Sequence, residues 1–115
     1  MLVTARELDC QHIWNAHAAS GRRAGLSDAL VDALRDKHDL PALLPDEAAV
    51  VPYGQAFFRT HYVSRGAFQA ALEQFGIQGL VELTMLTGYY GLLAFNVNAF
   101  DTDLLPERAE LLLRV

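Results

Sequence analysis

Apolar residues recur at helical spacing along most of this chain and no segment reads as a strand, so the pattern predicts an all-α bundle of about five helices. A first helix is expected over residues 4–23, stopping at the Gly21/Gly25 cluster. Ser27 can cap a second, "SDALVDALRDK", with Asp28 near its positive end and Arg35 and Lys37 near its negative end. Leu26, Leu30, Val31 and Leu34 give that helix one apolar face. After the proline-bounded link "HDLPALLP", Asp46 is expected to cap a third helix through residue 62, with a kink or restart at Pro52. Ser64 caps a fourth that ends at Gly76, and the fifth runs over residues 79–100. The tail "DTDLLPERAELLLRV" reads either as a loose end or as an arm packing its leucines on a neighbour.

The fifth helix carries two stripes. Glu82, Tyr89 and Asn96 fall seven apart and share a face, while Thr84, Gly88 and Gly91 lie roughly opposite, where small side chains allow close helix approach. Such a helix is expected to be covered on both sides. A carboxylate within "LVELTML" is costly to bury without a partner, which makes Glu82 a candidate site residue. Phe57, Phe58, Phe68, Phe75 and Phe95 are expected in the core or an interface.

At 115 residues the chain, 1–115, is expected to be one domain. Its hydrophobic share of 52% and charged share of 20% exclude disorder. A net charge of −5 with scattered Lys and Arg offers no footprint for nucleic acid. A lone cysteine forms no internal disulfide and points to a reducing, cytoplasmic setting. The opening "MLVTARELD" does not read as a secretory leader. The apolar stretch 80–100 is interrupted by Glu82, Asn96 and Asn98, so a buried helix is expected rather than a membrane span.

The densest cluster of candidate chemistry is "CQHIWNAH", which holds Cys10, His12, Trp14 and His17. On one continuous helix Cys10 and His17 share a face but lie about 10 Å apart along the axis, too far to hydrogen-bond. His12 and His17 are five apart and miss the one-turn spacing of a zinc pair, so neither metal nor other cofactor is expected. The position one turn before His17 is Ile13, where a thiol or carboxylate would have activated the imidazole. What the spacing permits is a His17-centred acid/base site with Trp14 as a wall.

"ARELDCQHIWNAH…AGLSDALVDALR" followed by "VELTMLTGYYGLLAFNVNAF" resembles the carboxymuconolactone decarboxylase family, which includes AhpD-like proteins. The resemblance covers residues 4–100 and implies an AhpD-like helical bundle, a small-molecule substrate and a homo-oligomer, trimer or hexamer. The family's redox branch carries Cys-x-His-Cys-x-x-x-His. Aligned here it falls on Cys10, His12, Ile13 and His17, so the second thiol is missing. Other members place a glutamate where Ile13 stands, and a further glutamate upstream of this helix has no counterpart in the chain.

Three functions follow as expectations. The first is decarboxylase-like chemistry on a small lactone or carboxylic acid. His17 is then the acid/base, Trp14 and His12 contact the substrate, and Glu82, Tyr89 or Tyr90 orients it, with His61 as a further contact. The second is a non-catalytic small-molecule-binding or assembly protein on the same scaffold. The third is a single-cysteine thiol antioxidant at Cys10, whose neighbours Ile13 and Trp14 provide no charge to hold a thiolate.

Overall fold

The computed structural model describes all residues, Met1–Val115, and contains helices and no strand. The elements are α1 (Leu2–Glu7), α2 (Gln11–Arg23), α3 (Asp28–Asp36), α4 (Pro45–Arg59) and α5 (Arg65–Ala99). The all-α expectation holds.

The single first helix does not. It breaks at Asp9, which adopts the left-handed φ of 50° that Asp tolerates better than most residues. The amide of Cys10 turns back to the carbonyl of Ala5, 2.8 Å away, and Cys10 becomes the residue before α2. The short α1 created by this break is the hub of the fold: it touches all four other helices, and Leu2 through Arg6 are buried. The main core gathers Leu2, Val3 and Ala5 with Cys10, Ile13, Trp14 and Ala18 of the second helical segment, Leu30, Val31 and Leu34 of α3, Val51 and Ala94.

Ser27 and Ser64 cap as expected, accepting hydrogen bonds from the amides of Leu30 (3.1 Å) and Ala67 (3.2 Å). The start of α4 differs: Leu44 is the capping position, Pro45 follows it, and the Leu44 amide donates to Glu47 Oε2 at 2.9 Å. Asp46 therefore sits in the first turn instead of capping it. Pro52 neither stops nor restarts the helix. It faces solvent, as does Ala48, whose carbonyl loses a partner to the proline and can turn to water.

The fourth and fifth expected helices meet at Gly76, with φ 70° and ψ 174°, so α5 is two segments joined by a single non-helical residue. The Thr84/Gly91 face packs inward, Tyr53 and Thr84 sharing a hydroxyl hydrogen bond of 2.7 Å and Gly91 lying against Phe58. The opposite face is bare in the single chain, and Gly88, expected beside Thr84 and Gly91, is exposed on that side. By length and composition α5 could cross a membrane, with mean hydropathy 1.2 over its most apolar window.

The tail is not a loose end. It runs back along the chain's own start, where the Gln11 side-chain amide both donates to the Leu113 carbonyl and accepts from its amide, each at 2.8 Å. Arg6 donates to the Arg114 carbonyl (2.8 Å), Arg22 pairs with Glu110 (3.0 Å), and Leu113 enters the core.

Candidate active site

Where α1, α2, α4 and α5 meet, with α3 closing one side, the packing leaves a cavity of about 510 Å³, within the range of small-molecule sites. Its walls are mainly aliphatic, from Leu2, Leu30, Val50, Val51, Leu83 and Leu86, with Phe75 at one side. Polar groups are few: His17, Ser20, Thr4 and Thr87, with Asp46 and Glu47 contributed by the first turn of α4. No Lys or Arg side chain lines it, but Met1 does, and the positive charge of its amino group lies near enough to act on His17.

His17 reaches the cavity from the middle of its helix, and burial, together with the positive charge of the Met1 amino group, holds its pKa below the ordinary imidazole value. Near neutral pH it is therefore an uncharged imidazole able to accept a proton. Tyr90 meets it edge-on with ring centroids 5.3 Å apart, and Tyr89 meets Tyr90 in the same manner at 5.7 Å. The Ser20 hydroxyl donates to the carbonyl of His17 (3.0 Å) and the Thr87 hydroxyl to that of Leu83 (2.8 Å), so both present lone pairs to the cavity.

Most of the other expected site residues lie elsewhere. Glu82 is exposed and takes a hydrogen bond from Gln78 at 3.2 Å, and Tyr89 is largely exposed; neither lines the cavity with His17. Cys10 and Trp14 are fully buried core residues, and the indole nitrogen of Trp14 has no partner. The break at Asp9 takes Cys10 off the helical face assigned to it. His12 donates through Nδ1 to the Asp103 carbonyl at 2.8 Å and thus anchors the tail. His61 is exposed in the turn after α4, with a left-handed φ of 68°. Ile13 is core.

The turn that accompanies His17 in the cavity is the following one, Ser20 and Gly21, instead of the preceding Ile13. Its signal was Gly21, four residues on, which leaves room where a side chain would meet Leu26 at 3.0 Å. Thr87 belongs to the inward, small-residue side of α5, but nothing local marks it as a cavity residue. Asp46 and Glu47 read from sequence only as helix-start residues. A smaller hollow of about 290 Å³ between α1, α3 and α4 is lined by Arg6, Glu7, Lys37 and Arg59, and the Glu7–Arg59 pair spans it. No three His, Cys, Asp or Glu side chains converge in the geometry a metal ion needs.

No family model, curated protein or solved structure matches the chain.

Proposed function

We propose that this protein takes a small, uncharged, largely apolar carbonyl compound, a lactone or a close analogue, into the α1/α2/α4/α5 cavity, and that His17 is its acid/base. The observation that carries the reading is the placement of one neutral imidazole on the wall of a mainly aliphatic cavity of ligand size. In that setting His17 can remove a proton from the carbon beside the carbonyl. The C–H electrons pass into an enolate, and the same proton is then returned to carbon. The resemblance to carboxymuconolactone decarboxylases supports a lactone as the substrate class. The mainly aliphatic walls favour the neutral lactone over the carboxylic acid, whose charge would have to shed its water to enter. A reducing, cytoplasmic setting suits the lone buried thiol.

A second reading, binding without catalysis, is favoured by a specific feature: the hydroxyls of Ser20 and Thr87 both donate to backbone carbonyls, so neither is free to stabilise a developing oxyanion. The thiol antioxidant reading draws no support from Cys10, which no peroxide in solution could reach without the core opening.

Deuterium exchange separates the first two. Neutral lactones incubated with the protein in D₂O should exchange the hydrogens beside the carbonyl faster than in buffer, and His17→Gln should bind them without accelerating exchange. Binding without exchange in the unmutated protein selects the second reading. Failure to bind neutral lactones, or tighter binding of their ring-opened carboxylates, overturns the assignment of ligand class.

A further inference from the structure

The bare face of α5 has a pattern of its own. Ile77, Val81, Met85, Gly88, Leu92, Phe95 and Ala99 follow one another at intervals of four or three residues, and all are exposed. Met85 is 70% exposed, Leu92 59% and Phe95 64%. Within this stripe Val81, Gly88 and Phe95 recur every seven residues, and so do Met85, Leu92 and Ala99. That is the double seven-residue repeat by which one helix seats against another, and it serves no purpose on a helix facing water. Glu82, Tyr89 and Asn96, the stripe that the cavity leaves unused, run alongside as its polar border.

Two further facts indicate what covers it. The seam is symmetric about Gly88: Val81 and Phe95 lie seven residues to either side, Ile77 and Ala99 eleven. An antiparallel copy turned about an axis through Gly88 therefore brings the partner's Phe95 to Val81 and the partner's Ala99 to Ile77, while the partner's Leu92 falls opposite position 84, one residue from Met85. The larger groups face smaller ones, and the two glycines allow close approach at the centre. Area agrees as well. The chain exposes 7165 Å², whereas a folded monomer of 12.7 kDa exposes about 6,200 Å². The excess of about 900 Å² is close to the ~800 Å² that each partner buries in a standard interface. Glu82 is the only ionisable acid or base between Gly76 and Ala99 beyond the tyrosines, and it sits at the border, so closure desolvates no charge at the centre.

We propose that this face is an isologous dimer interface, in which a second copy of the chain packs its α5 antiparallel against the first with Gly88 on the two-fold axis.

Light scattering of the full chain after size exclusion should give the mass of two chains, or of an even-numbered assembly that Leu92→Glu halves. Gly88→Leu should have the same effect as Leu92→Glu, because a side chain at Gly88 meets nothing within 4 Å in the single chain and so acts only at the interface. Gly88→Cys should form a disulfide dimer under mild oxidation, since Cα atoms paired across the axis fall within disulfide reach. Tyr62→Cys, also exposed but off the seam, should not. Circular dichroism checks that the variants fold, and if Leu92→Glu or Gly88→Leu does not, cross-linking decides alone. A monomeric or odd-numbered native protein overturns the proposal, as does a Gly88→Cys protein that fails to cross-link. So does a monomer that co-sediments with phosphatidylcholine vesicles, which would make a lipid surface the cover.

Discussion

At the scale of single residues, "CQHIWNAH" divides into packing and chemistry along a line that helix geometry alone misplaces. Trp14 is wholly enclosed and does not touch the cavity. Trp14→Ala should therefore cost about 3–5 kcal/mol of stability in urea unfolding, the usual penalty for emptying a large core site. Trp14→Phe keeps most of the volume and gives up an indole N–H that has no partner, so it should cost less and leave ligand affinity unchanged. Cys10 should resist iodoacetamide in the folded protein and react once urea opens the core, with mass spectrometry following the adduct. His17 stood out as a candidate because an imidazole within an amphipathic helix is conspicuous, and it does line the cavity. Which turn accompanies it was not legible, since the cavity lies on the Ser20/Gly21 side and depends on what α4 and α5 leave unfilled.

At the scale of elements, the legible features were the local ones. Ser27 and Ser64 cap because a hydroxyl before a helical run meets a free amide whatever the rest of the chain does. The Gly76 boundary was visible for the same reason. The break at Asp9 was not, because an aspartate inside a periodic segment announces no stop; it is held by α1 burying every face and by Arg6, which pairs with Asp9. These differences predict opposite outcomes for two alanine substitutions. Gly76→Ala should destabilise by about 1–3 kcal/mol, since its backbone angles are ones that only glycine adopts at ease. Gly66→Ala, in the exposed first turn of α5 with open space around it, should stabilise by about 0.4–1 kcal/mol through the unfolded chain. Thermal unfolding of the two variants side by side checks both signs.

At the scale of the whole molecule, the features that escaped a sequence reading are those that join distant segments: the cavity, the bare α5 face and the docked tail. Glu110 meets Arg22 across 88 positions, and no spacing rule reaches that far. The same long-range pairs govern the response to acid, in two separate windows. His17 has a lowered pKa in the fold because of burial, so the unfolded chain binds its proton first, and stability falls as pH drops below about 6.5. Asp32 and Asp36 also have lowered pKa values, from hydrogen bonds to Arg22 and Arg35 respectively. Their contribution is present above about 3.9 and is lost as pH falls from there through the folded-state values. Urea midpoints measured from pH 8 to pH 3 should therefore decline in two steps. His17→Gln should shrink the upper step and leave the lower one, the remainder of the upper step belonging to the Met1 amino group, whose pKa burial also lowers. Arg22→Met should shrink the lower step and also release Glu110, so that trypsin cuts faster after Arg108 in the native protein. A tail that stays resistant while the lower step shrinks would mean that Gln11 and Leu113 hold it without help from Arg22.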